Sequence, residues 1–168
     1  MNPVHAHLLL NHLPIIFPIV GMLVLIGGII LNNEIVKRTS YLIFIASAIL
    51  TFPAFISGEA AEDIVENING ITIDSINKHI EWADKLMFFN IVLGAVSILG
   101  FWSNLKNKSY SNTVAYVILV ICATSMFFAQ QTGRSGGEIR HTEIRSNFNQ
   151  DSSPQSNPEK NKNDKDND

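Results

Sequence analysis

The chain alternates between long apolar stretches that carry no charge and shorter polar intervals. Residues 1–33 contain no Asp, Glu, Lys or Arg, and uncharged apolar runs recur at 41–57, 86–103 and 113–129. Each approaches the roughly 20 residues that an α-helix needs to cross a bilayer. The pattern predicts spans at about 14–31, 40–57, 85–102 and 112–131. A water-soluble domain of this length has no use for four such blocks. The expected fold is all-α, an integral membrane four-helix bundle over residues 1–146. Residues 147–168 are mainly Asn, Ser, Pro, Lys and Asp with almost no apolar side chain, and they read as a disordered polar tail.

Punctuation within the pattern is uneven. Residues 1–13 form a helical or partly helical lead-in to the first span. Pro14 and Pro18 lie four apart and both disrupt the backbone ladder. Pro53 is expected to bend the last turn of the second span. Residues 58–85 read as the longest connection, with acids at Glu59, Glu62, Asp63, Glu66, Asp74, Glu81 and Asp84. Within it, Glu59–Asn67 reads as a short amphipathic helix and Asn69-Gly70 as a turn. Gly133 and Gly136-Gly137 are expected to end the fourth helix. No internal repeat emerges. The N-terminus has no basic region before its first apolar block, and that block is too long for a signal-peptide core, so the segment reads as a retained span.

The net charge of −3 comes without a basic stripe, which excludes a nucleic-acid surface. Cys122, the one cysteine, lies mid-span and has no partner for a disulfide or for a metal-binding Cys pair. No nucleophile–base pair and no phosphate-cradling glycine loop stands out, so enzyme chemistry has little support. Four spans put both termini on one side. The first and third loops carry Lys37, Arg38, Lys106 and Lys108 against Glu34, which favours an outside location for both termini in a bacterial cytoplasmic membrane. Arg134, Arg140 and Arg145 argue the other way.

Independently of orientation, the topology gathers every histidine at one membrane face. His5, His7 and His12 enter the first span, His79 precedes the third, and His141 follows the fourth. Glu59, Glu62, Arg134 and Arg140 fall at the same end. Imidazoles on facing helices hold haem iron, zinc or copper. If residues 5–12 are helical, His5 and His12 share a face and His7 points elsewhere. Arginines there suit haem propionates, and the carboxylates suit a metal or its second shell. The plain alternatives are histidines solvated among lipid headgroups and an acidic stripe that merely faces water.

The stretch His7-Leu-Leu-Leu-Asn-His12-Leu-Pro14-Ile15 resembles the His-Pro-x-x-Val-His-Phe-Pro-Ile signature that opens a bacterial membrane-protein family of unknown function. Gly58-Glu-Ala-Ala61 is similar to that family's Gly-x-x-Ala segment, and His79 with Ala83 to its lead-in to the third helix. Gly136-Gly137-Glu-Ile139 resembles its closing Gly-Gly-x-Leu. The resemblance covers about 5–144. It departs where Leu8 and Leu13 replace Pro and Phe, and where His141 and Glu143 stand for the family's Tyr and His. It implies a four-helix membrane domain, fused in some relatives to Rieske-type or cytochrome modules, and hence redox-chain partners.

These readings combine into a bundle that binds haem b near one membrane face and serves electron transfer. His12 and His79 are the first candidates for axial ligands, with His7 and His141 in reserve and Arg134 and Arg140 for the propionates. The alternative cofactor is zinc or copper on His12, His79, Glu59 and Glu62, or none. The competing class is a non-catalytic membrane subunit or anchor of a larger redox or transport complex.

Overall fold

In the computed structural model, residues 2–68 and 70–140 are described, so His141 and the expected tail lie outside them. Helix α1 covers Pro3–Leu10, α2 Leu13–Ile30, α3 Glu34–Val65, α4 Ile73–Leu105 and α5 Ser111–Arg140. Together α1 and α2 make the first of four helical units long and apolar enough to cross a membrane, and α3, α4 and α5 make the others. The protein is an all-α four-helix bundle. At 1.5 Å per residue the 33 residues of α4 extend about 50 Å, well beyond a hydrocarbon core of about 30 Å. The uncharged run 86–103, at about 27 Å, is long enough to fill that core, and the turns before it are length in excess of it.

The break between α1 and α2 follows from Pro14. Its ring removes the hydrogen bond to Leu10 and crowds that carbonyl, so the helix stops and restarts with Pro14 in its first turn. Pro18 sits within α2 and leaves the Pro14 carbonyl without its usual intrahelical donor. Asn90 Nδ2 supplies the replacement, 3.0 Å from Pro14 O. Asn90 is fully buried, also donates to Thr51 Oγ1 at 3.2 Å, and accepts from Ser125 Oγ at 2.7 Å. One side chain thus ties α2, α3 and α5 to α4 in a medium that offers no water.

Below this hub, Leu25, Tyr41, Phe44, Leu93, Ile118 and Cys122 are buried together. Small residues let the backbones approach closely: a Cβ at Gly94 would lie 2.4 Å from that of Ala48. Leu23, Ile49, Ile56, Phe88, Leu99 and Val120 remain exposed on the outside, as lipid contact requires. At the end away from the histidines, Lys37 is only 2% exposed; its Nζ lies 2.8 Å from both Glu34 Oε1 and Asn112 Oδ1. Asn104 joins this cluster through Glu34 and through Arg38 Nε at 2.9 Å.

Three expectations are corrected. The connection after the second span is short, because α3 runs on to Val65 and α4 begins at Ile73. Residues 59–65 are the continuation of the spanning helix, and residues 73–85 are the leading turns of the next. Gly133, Gly136 and Gly137 do not stop α5, which continues to Arg140. The intrahelical ladder outweighs a glycine cost of about 1 kcal/mol each, and at Gly136 the His79 ring occupies the space that a side chain would take.

The third correction is that the bundle contains a repeat. The α1–α2–α3 and α4–α5 hairpins run in the same sense, each starting and ending at the histidine face. Their tips are built alike. Asn32 and Asn107 both adopt left-handed conformations, φ 47° and 48°. Each is followed by a residue whose N–H reaches back five positions, Asn33 to Gly28 O and Lys108 to Ser103 O, both 2.9 Å. These are Schellman-type helix ends.

Candidate functional site: a symmetric histidine pair

The repeat converges on two histidines. His7, on α1, places Nδ1 3.1 Å from Ala54 O and 3.4 Å from Ser57 Oγ, both on α3. His79, on α4, places Nδ1 3.1 Å from Thr132 O and 3.2 Å from Ser135 Oγ, both on α5. In each case the serine hydroxyl donates to the same carbonyl one turn back, at 2.8 Å from Ser57 and 3.0 Å from Ser135. The next residue is glycine in both halves. A Cβ at Gly58 would meet His7 Cε1 at 3.0 Å, and one at Gly136 would meet His79 Cε1 at 3.1 Å. Within each half the two arms are equal: 25 residues separate His7, Asn32 and Ser57 in turn, and 28 separate His79, Asn107 and Ser135.

A carbonyl oxygen only accepts, so the proton of each neutral ring sits on Nδ1 and the lone pair on Nε2. This is the tautomer a metal-ligating histidine uses, with its other nitrogen held by a backbone carbonyl. The two rings come together edge-on across the bundle, centroids 6.4 Å apart and planes at 81°. Burial is the main influence on His79 and lowers its pKa, with the neighbouring His7 adding to the effect and the Thr132 carbonyl opposing it. Burial thus favours the neutral form of His79.

The pair differs from the first choice made on sequence. His12 lies at the break between α1 and α2, exposed, with Nδ1 bonded to Leu8 O at 3.0 Å. His5 is exposed as well. His7 thus takes the inward place; α1 ends at Leu10, so the expectation of one helix over 5–12 that puts His5 and His12 on a shared face does not apply, although both are exposed. Glu59 is exposed and Glu62 half-buried, and among the described residues no three His, Cys, Asp or Glu side chains gather as a metal site. Arg134 is 74% exposed and bonded to Glu138. Arg140 closes α5. The serine–glycine supports were missed on sequence, where Ser57-Gly58 and Ser135-Gly136 are the signal that was available.

Comparison with family models, curated proteins and solved structures finds no match for this chain.

Proposed function

We propose that this membrane protein holds one haem b between His7 and His79 and works as an electron-transfer component alongside redox-chain membrane proteins. The supporting observation is the ring pair itself, with both Nδ1 groups on carbonyls and both Nε2 lone pairs available. A metal lies about 2 Å from an imidazole nitrogen, and that nitrogen lies about 1 Å from its ring centre. Two rings sharing one metal are therefore about 6 Å apart, against 6.4 Å here.

Two protein ligands suit haem better than a free metal ion. His7 and His79 are the two protein ligands that would hold a haem, whereas zinc sites draw three or four ligands from the protein. Bound haem would supply a one-electron couple. The chain's own contribution is to fix each ring's rotation through a carbonyl and a serine, and to leave room beside each ring with a glycine. The resemblance of residues 5–144 to the His-rich membrane family belongs to the same proposal. So do a bacterial cytoplasmic membrane and an outward-facing histidine end, which the basic loops at the opposite end favour.

Titration of detergent-purified apoprotein with haemin tests the assignment. One equivalent should bind to wild type and to His12→Ala, and none tightly to His7→Ala or His79→Ala. Retained one-to-one binding in both inner variants would overturn it. Failure of wild type to bind would leave the membrane-subunit reading in its place.

A further inference from the structure

The two hairpins diverge on the outer side of α4 and α5. There Lys78, Trp82, Gln131, Arg134, Ser135 and Glu138 line a cavity of about 220 Å³. The spacing that relates the repeats puts Ala6, Leu10, Pro53, Ile56, Ser57 and Ala60 at the equivalent places on the first hairpin. Ser135 keeps its repeat role beside His79. The other five positions are apolar in one hairpin and chiefly polar or charged in the other. The shared scaffold is therefore built once without these charges, and the fold does not require them.

The cavity joins a cationic rim to an aromatic strip. Glu138 lies 3.4 Å from Lys78 and 3.3 Å from Arg134, so two cations meet one acid, and those cations are 54% and 74% exposed. From Trp82 the rings run on towards the apolar stretches, to Phe127 at 6.5 Å and Phe128 at 6.2 Å. Phe128 then stacks on Phe89 at 4.8 Å, and Phe89 contacts Phe88 at 5.4 Å. Phe127 and Phe88 are 52% and 62% exposed.

We propose that this surface seats an anionic phospholipid, with its phosphate on Lys78 and Arg134 and an acyl chain against Phe127 and Phe88. Arg pairs with phosphate through a bidentate fork and Lys as a point charge. Trp82 occupies the interfacial level at which tryptophan settles in bilayers. A lipid carrying a net negative charge complements the rim, whereas a zwitterionic headgroup brings its own cation into it. A free phosphate shares the headgroup chemistry but leaves the aromatic strip uncovered. This site does not depend on what the histidine pair holds.

The test uses the full chain, stripped of lipid in detergent, with thermal unfolding and native mass spectrometry as readouts. The ligands are phosphatidylglycerol, phosphatidylcholine of the same acyl chains, and inorganic phosphate. Phosphatidylglycerol should bind at least tenfold tighter than phosphatidylcholine and raise the unfolding midpoint. Lys78→Gln with Arg134→Gln should abolish that preference, bringing phosphatidylglycerol binding down to the level of phosphatidylcholine in the same variant. Equal binding of the two lipids, or an unchanged preference in the double variant, would overturn the proposal. Inorganic phosphate alone reproducing the full shift would also overturn it, in favour of a free-anion site.

Discussion

Replacing Asn90 by Leu, a residue of comparable size, removes the polar hub without opening a large void. Three hydrogen bonds disappear: to Pro14 O at 3.0 Å, to Thr51 Oγ1 at 3.2 Å and from Ser125 Oγ at 2.7 Å. Thr51 already donates to Ser47 O at 2.9 Å, and Ser125 can turn to the carbonyl one turn back. Their losses are small, about 0.6 kcal/mol each, as for other polar contacts between membrane helices. Pro14 O is different, because Pro18 has no N–H to offer it. Leaving it unpaired costs about 1–3 kcal/mol, for a total of about 2–4 kcal/mol. Pro18→Ala restores a backbone N–H within reach of that carbonyl. In the Pro18→Ala background the Asn90→Leu change should therefore cost only about 1 kcal/mol, a coupling of about 1–3 kcal/mol. Equilibrium unfolding in mixed detergent micelles, followed by circular dichroism on all four proteins of the cycle, measures it. Additivity to within about 0.5 kcal/mol would show that Asn90 does not serve the carbonyl freed by Pro18.

Three further predictions concern the site and its opposite end. Gly58→Val and Gly136→Val should each displace the adjacent imidazole and weaken haemin uptake at least tenfold in an absorbance titration. Gly133→Ala, where a Cβ meets nothing within 4 Å, should leave uptake unchanged and gain up to about 1 kcal/mol of helix stability. Because burial lowers the His79 pKa below its ordinary 6.5, the folded protein binds fewer protons than the unfolded chain once the pH drops below that value. The stability from neutral His79 is thus complete above about pH 6.5 and declines as the pH falls towards the folded value. Unfolding midpoints measured from pH 8 to 5 should fall on the acid side, and less so in His79→Gln. Lys37→Met keeps the buried stem but deletes the contacts to Glu34 and Asn112; unfolding should register a loss of about 1.5–3 kcal/mol, with haemin binding unaffected.

The four crossings were legible because they rest on the simplest signal, apolar runs long enough for a bilayer. The gathering of histidines at one face was legible too, since it needs only the parity of crossings. The choice between His7 and His12 was not. It depends on where Pro14 interrupts the helix, and a break of two residues changes which side each histidine takes. The 59–65 segment misled because Gly58 and the clustered acids look like the end of a helix. In the structure Gly58 is small because the His7 ring lies against it, and the acids decorate a helix that has left the hydrocarbon. Gly136 misled for the same reason with His79. The repeat was hidden because its halves share little beyond a histidine, an asparagine that turns the hairpin, and a Ser-Gly step. The spacings also differ by three residues on each arm. Only the matching hydrogen bonds make the equivalence visible.

The central claim, a haem held between His7 and His79, is tested most directly by the absorption spectrum of the full-length protein. It should be purified in detergent from haem-replete cells, recorded oxidised and dithionite-reduced, with metal analysis of the same sample. A Soret band that shifts on reduction, sharp α and β bands, and one iron per chain are the expected result. A colourless sample holding stoichiometric zinc or copper, or no metal at all, would contradict the account.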